Sequence, residues 1–243
     1  MKAGSRVRRL STGLSLLISG CAGALSWNPQ SLPPGTSSVV AQQPLRGTYT
    51  VRQGDTLYSI AWRYGLDYHD LAAWNNIGPD FLIKPGQQLV LAAPSSFVAA
   101  AIRPTAPTAA TSAGNSPPSG PVHWIWPTRG ALVGMFHPDN ALSKGIDIAG
   151  MRGQGIQAAA AGKVVYTGSA IAGYGKLIII KNSDRFLSAY ADNDSMLVRE
   201  GDVVKAGEPI ATMGLDRNGH PLLHFEIRYN GKPVNPLSYL PAH

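Results

Sequence analysis

Two residues far apart in this chain form a metal-ligand type of pair. One is Asp147, in the run Ser143-Lys144-Gly145-Ile146-Asp147; the other is His224, in Leu222-Leu223-His224-Phe225-Glu226. A carboxylate oxygen and an imidazole nitrogen both bind zinc. A catalytic zinc, however, needs three protein ligands of Cys, His, Asp or Glu type, with water in the fourth place. The pair alone is one ligand short. A serine hydroxyl stays protonated near neutral pH and is a poor ligand, and a leucine is none, so Ser143 and Leu222 do not complete the set. Two other histidines stand nearby in sequence: His137, six residues before Ser143, and His220, two before Leu222. A lone histidine in a loop is more often solvated than ligating.

The elements that must position this pair are short strands. Gly162-Lys163-Val164-Val165-Tyr166, Leu177-Ile178-Ile179-Ile180 and Phe225-Glu226-Ile227-Arg228-Tyr229 are β-type runs punctuated by glycine. Asn230-Gly231, between two such runs, is a strong two-residue hairpin signal. The C-terminal region, from about Trp124-Ile125-Trp126-Pro127, therefore reads as all β. Gly201 to Ile210 resembles the turn-rich barrels of biotin and lipoyl carriers. It lacks their modifiable lysine at an exposed hairpin tip, so a carrier role is not expected.

An N-terminal region of different pattern occupies residues 48–92. Tyr49 and Val51 alternate with polar neighbours as a half-buried strand does. Gly54-Asp55-Thr56 offers a turn and a helix cap. Leu57, Ile60, Ala61 and Tyr64 then fall on one helical face, and Gly65 ends that helix. A second short helix carries Leu71 and Trp74 as far as Asn75-Asn76. Lys84-Pro85-Gly86-Gln87 has turn composition, and Leu89 and Leu91 alternate on a closing strand. The order is strand, helix, helix, strand.

Between the two regions, residues 94–121 hold six prolines in 28 positions with almost no charge, the composition of a semi-extended spacer that separates domains. Residues 22–47, rich in Pro, Ser, Gly and Gln, read as a flexible tether. The formal charge of +7 is concentrated at the start, where Lys2, Arg6, Arg8 and Arg9 stand without an acid. The remainder, 17 bases against 14 acids, is too weakly and too diffusely basic to argue for nucleic acid. That basic start, the apolar run Leu10 to Ile18 and the small residues after it have the three parts of a secretory signal over residues 1–20. The run is too short to span a bilayer stably. Leu17-Ile18-Ser19-Gly20-Cys21 resembles the lipobox of bacterial lipoproteins, whose cysteine becomes the lipidated first residue. Cys21 is the only cysteine, so no internal disulfide exists. The expectation is a protein held in a membrane through lipidated Cys21 and facing the periplasm. Ala22 after the cysteine favours the outer membrane, by resemblance to lipoprotein sorting.

Tyr49-Thr50-Val51-Arg52-Gln53-Gly54-Asp55-Thr56-Leu57, Ile60-Ala61, Leu71, Trp74-Asn75 and Lys84-Pro85-Gly86-Gln87-Gln88-Leu89 resemble the LysM domain over its whole length. The resemblance implies binding of N-acetylglucosamine-containing glycans, here peptidoglycan strands, in a groove between two loops. Carried over by position, these loops are Gly54, Asp55, Thr56 and Leu57, and Asp80, Phe81, Leu82 and Ile83.

The C-terminal region, residues 122–243, resembles the lysostaphin-type, or LytM-like, zinc endopeptidases of peptidoglycan. The resemblance rests on Lys144-Gly145-Ile146-Asp147-Ile148, Ala158-Ala160-Gly162-Val164, Gly173-Tyr174-Gly175, Tyr190, Gly201-Val204-Gly207-Ile210, Gly214 and Leu223-His224-Phe225-Glu226-Ile227-Arg228. It implies a small α+β (βααβ) LysM domain followed by an all-β LytM-like domain of duplicated hybrid-motif type. In active members a histidine precedes the liganding aspartate by four residues, and that place is Ser143. A second catalytic histidine follows a strand tyrosine by two positions, and that place is Asp192. The terminal signature has two histidines; the catalytic one is replaced by Leu222, and the ligand is kept as His224. The expectation is no metal, no cofactor and no catalysis. Ser143, Lys144, Asp147, Asp192, Leu222 and His224 then line a vacant groove.

Lipobox, tether, LysM, linker and degenerate domain together resemble the NlpD type of lipoprotein. In that type the vacant groove takes hold of a regulatory helix on a periplasmic cell-wall amidase and activates it. Two other readings stay open on the residues: a rearranged zinc endopeptidase that recruits His137 and His220, and a passive wall-binding protein.

Overall fold

The computed structural model describes residues 47–93, 121–140 and 143–242. The signal segment, Cys21, the tether and all of the 94–120 spacer lie outside the described residues.

The LysM region is a two-stranded antiparallel sheet with two helices. Strands β1 (Thr48–Thr50) and β2 (Gln88–Val90) pair with Tyr49 opposite Leu89. Helix α1 (Leu57–Tyr64) begins at a capping box, in which the Thr56 side chain accepts from the Ser59 amide and Ser59 Oγ accepts from the Thr56 amide. It ends at Gly65, whose left-handed φ of 64° suits a residue without Cβ. Helix α2 (Tyr68–Trp74) starts at the Asp67 cap, and Asn75 then ties α2 to β2: its side-chain amide donates to Leu71 O and Val90 O, and its Oδ1 accepts from the Val90 amide. The sequence expectation for these elements matches within a residue or two.

The C-terminal region is built on one eight-stranded antiparallel sheet. Its strands are β3 (Leu132–Gly134), β4 (Ile146–Ala149), β6 (Gly162–Gly168), β7 (Leu177–Lys181), β8 (Phe186–Ala191), β10 (Val203–Val204), β12 (Leu222–Tyr229) and β13 (Lys232–Val234). Their order is β10-β6-β7-β8-β12-β4-β3, with β13 added on β12. A second sheet of β5 (Gly155–Gln157), β11 (Pro209–Met213) and β9 (Asn193–Met196) packs against it. Asn230 and Gly231, at φ 46° and 73°, make the β12–β13 hairpin that the dipeptide signals.

Alternation along the strands sorts the side chains into two cores. Ile178, Ile180, Tyr190, Leu223, Phe225 and Ile227 face the small sheet in one core with Ile146, Ile148 and Met213. Leu177, Ile179, Leu187 and Ala189 face the other way, into a core shared with Leu57, Ile60, Trp62, Tyr68 and Leu71 of the LysM region. The run Leu177–Ile180 is apolar on both faces because both are covered. The described residues on either side of the spacer thus share one hydrophobic core. Buried apolar area contributes about 25 cal/mol per Å² whichever domain supplies it, and a linker's composition says nothing about the surfaces at its ends.

Candidate functional site

Strand β12 supplies the site. Leu222, His224, Glu226 and Arg228 fall at alternate positions, on the face turned away from the small-sheet core. Strand β4 lies beside it in a register that sets Asp147 opposite His224, and β8 brings its Ala191 to the other side of that histidine. The chain then turns at Asp192, held at a left-handed φ of 60° that is uncommon for a non-glycine residue. Lys144, Asp147, Asp192, Leu222 and His224 thus line one cleft of about 650 Å³. Ser143 does not. Its backbone closes a small loop instead, giving a carbonyl to the His137 amide and an amide to Asn140 O. Gly145 is buried just ahead of β4, which begins at Ile146, so Ser143 lies three residues before the strand and a four-residue spacing from Asp147 does not return it to the floor. His137 and His220 are also absent from the cleft lining; His220 is held in a turn by Asp216, through its amide and its ring.

The floor is an ion-pair network. His224 Nδ1 meets Asp147 Oδ1 at 2.6 Å, and Nε2 meets Glu226 Oε1 at 3.2 Å. Tyr174 donates to the same Glu226 oxygen at 2.6 Å, and Arg228 Nε and Nη2 both reach Glu226 Oε2 at 3.1 Å. Burial alone would lower the His224 pKa, but the two carboxylates more than offset it and hold the ring at about 9, as an imidazolium. Burial alone would raise Glu226; the Arg228 charge, with His224 and Tyr174, instead brings it to about 2. Asp192 goes the other way, up to about 6. Burial is the main cause, and the carboxylates of Asp216 and Asp147 add to it against the pull of His224.

Zinc, which the lysostaphin resemblance implies for active members, does not fit this set. Both ring nitrogens of His224 are taken up by carboxylate oxygens, Nδ1 by Asp147 Oδ1 and Nε2 by Glu226 Oε1. Among the described residues no group of three or more His, Cys, Asp and Glu side chains is poised around a common point.

The sequence pattern does not single out three sets of contributors. Glu226 and Arg228 are readable, since they continue the alternation of Leu222 and His224 along one strand. Tyr174 stands out in the sequence only as part of a glycine-rich run. The third contributor had no local signal at all: Tyr49, Arg52, Trp62, Arg63 and Tyr64 of the LysM region form the opposite wall of the same cleft.

The eight loop positions expected to meet glycan divide by role. Asp55 accepts from Tyr49 Oη and the Arg52 amide and pairs with Arg63; Thr56 caps α1; Leu57 is fully buried. Gly54 and Asp80 are exposed, as is Leu82, at 79%. Phe81, at φ 54°, stacks edge-on against Tyr58 and Tyr68, and Ile83 packs partly against the core.

Comparison with known proteins adds the following. Residues 49–92 match the LysM domain, and residues 141–236 match peptidase family M23. A lipoprotein NlpD/LppB homolog of Pseudomonas aeruginosa is 40% identical, over 96% of this chain and 94% of its own. YgeR, an uncharacterized lipoprotein of Escherichia coli, is 42% identical over 97% of this chain and 92% of its own. The murein hydrolase activator NlpD of Escherichia coli is 41% identical over 80% of this chain and 68% of its own.

Proposed function

This chain belongs to the NlpD/LppB family of lipoproteins, and from that premise we propose that it activates a cell-wall hydrolase rather than cutting the wall itself. The target is a periplasmic N-acetylmuramoyl-L-alanine amidase, and the process is wall remodelling or daughter-cell separation. The observation that carries this reading is the self-bonded pair, Asp147 to His224 at 2.6 Å. A cleft whose two metal-type ligands are bonded to each other is a binding groove without the means to hold a nucleophilic water. The cleft floor offers carboxylates, an imidazolium and the half-buried Leu222, a mixture suited to an amphipathic helix bearing basic and apolar residues.

The LysM region supplies the hold on peptidoglycan, with Leu82, Asp80 and Gly54 as the loop positions free to touch glycan. Cys21 supplies the anchor, with the protein on the outer membrane and facing the periplasm.

The test is dye release from labelled sacculi with three samples: the protein, a purified periplasmic amidase, and both together. Activation predicts little release by either alone and several-fold more by the mixture. Leu222→Arg should abolish the gain while circular dichroism stays unchanged. Chelator-sensitive release by the protein alone would replace this reading with a rearranged endopeptidase. No gain in the mixture would leave a passive wall-binding protein.

A further inference from the structure

The wall of the cleft that faces β12 is made by helix α1 of the LysM region, and its contacts are those of a bound ligand. Arg228 Nη1 donates to Trp62 O at 2.8 Å, and Lys232 Nζ to Gly65 O at 3.2 Å. These carbonyls belong to the last turn of α1 and the residue after it, where a helix end carries partial negative charge; Trp62 O also accepts from the Gly65 amide at 3.2 Å. The Arg228 guanidinium also lies flat on the Trp62 ring, 3.5 Å from its centroid. Trp62 meets Tyr174 edge-on at 6.4 Å, and Tyr174 meets His224 in the same manner at 6.0 Å. Arg63 reaches Ala170 O on the rim loop at 3.5 Å. In this arrangement Trp62 is 2% exposed and Arg228 1%. A second helix, about 10 Å across, that settles on Leu222 and His224 meets Trp62 and Arg63, which line the same cleft.

We propose that α1 is an internal occupant of the helix-receiving surface, and that the amidase helix competes with it. The competing helix would present a large aromatic or apolar side chain in the place of Trp62 and C-terminal carbonyls to Arg228. The docked LysM module is then the closed state, and its release uncovers the full groove. The proposal rests on the activator reading above. Its energetic link to the groove floor runs through one chain of contacts, Asp147 to His224 to Glu226 to Arg228 to Trp62.

Two substitutions open this contact from outside both the groove and the LysM core. Gly231 sits against LysM, so that a Cβ there would come within 2.6 Å of the Asp67 nitrogen. Gly231→Asn keeps a residue that tolerates the left-handed φ of the hairpin and adds a wedge. Lys232→Glu puts a carboxylate against the negative end of α1.

The experiment uses full-length protein in detergent and a purified periplasmic N-acetylmuramoyl-L-alanine amidase. Hydrogen exchange reads residues 57–64, and titration reads the amidase Kd. Exchange in α1 should rise in both variants, and in the wild-type protein on saturation with amidase. The Kd should fall about tenfold in the variants, as expected when a closed form holding some 90% of molecules is removed. Unchanged α1 exchange in the amidase complex overturns the proposal. So does an unchanged or weaker Kd in a variant whose α1 has been freed. A failure of both variants to raise α1 exchange does the same, because the contacts named would not then hold the helix. If the wild-type protein neither binds nor stimulates the amidase, the activator reading itself fails; if it stimulates normally while the opened variants match it, only the competition fails.

Discussion

Strand β12 sends four alternate side chains to one face, and the two ends of that face have different surroundings. At the Leu222–His224 end the face opens into the cleft, and both residues keep part of their surface in solvent. At the Glu226–Arg228 end the same face lies under the LysM region, with Glu226 fully buried and Arg228 nearly so. A charge can survive at the covered end only if it is paired. Glu226 accordingly takes hydrogen bonds from Tyr174, His224 and Arg228, and Arg228 spends its remaining reach on Trp62 O. At the open end water does part of that work, and the residues are free to differ. The difference teaches that the site is held in shape from its buried end, by charges that are paired with one another.

The comparison breaks most completely if the covered end loses its carboxylate. Glu226→Ala leaves Arg228 unpaired in the interior and takes one of two anions from His224. It should destabilise the protein by about 3–5 kcal/mol, read from urea unfolding, whereas Leu222→Ala at the open end should cost well under half as much.

Titration should show the same asymmetry next. With His224 raised to about 9 from 6.5, its contribution is complete below pH 6.5 and is lost as pH rises through 9. That is worth about 3 kcal/mol at 1.36 kcal/mol per unit. Glu226, lowered to about 2, contributes above pH 4.5 and fails only as pH falls through 2. Thermal melts should therefore decline between pH 7 and 10. A His224→Gln variant should be less stable at pH 6 and flat over that range; a wild-type melt that is flat there would contradict the imidazolium.

Asp192 sharpens the contrast in the opposite direction. Its pKa near 6 means that ionisation is disfavoured in the cleft, so Asp192→Asn should gain about 1–2 kcal/mol at pH 7.5 and little at pH 4. Asparagine keeps the left-handed backbone at that position. The smallest effect belongs to Ser143, which lies off the cleft lining. Ser143→His should change stability by no more than about 0.5 kcal/mol, and dialysed protein should gain no zinc by elemental analysis. Retention of one zinc per chain would mean that the 137–143 loop can swing its residue into the floor.

Much of this molecule is legible in its residues. The capping Thr56, the terminating Gly65 and the Asn230-Gly231 hairpin are local features, set by hydrogen bonds and steric limits within a few residues. The alternation of Leu222, His224, Glu226 and Arg228 is equally local, because a strand has a period of two whatever surrounds it. The pair Asp147 and His224 is visible from residue type; that Asp192 and Leu222 stand where active members carry histidines is what the resemblance to lysostaphin-type enzymes implies.

What the sequence by itself determined, then, is which elements form and which side chains share a face of each. Only the tertiary structure decided what covers each face. That Asp147 and His224 bond to each other depends on the antiparallel register of β4 against β12. That Ser143 falls away from the floor depends on where β4 begins. That Trp62 stacks on Arg228 and walls the cleft depends on two surfaces 166 residues apart in the chain. Periodicity carries no information about partners at such a separation, because burial and charge pairing depend on which atoms meet in space and not on how far apart they lie along the backbone.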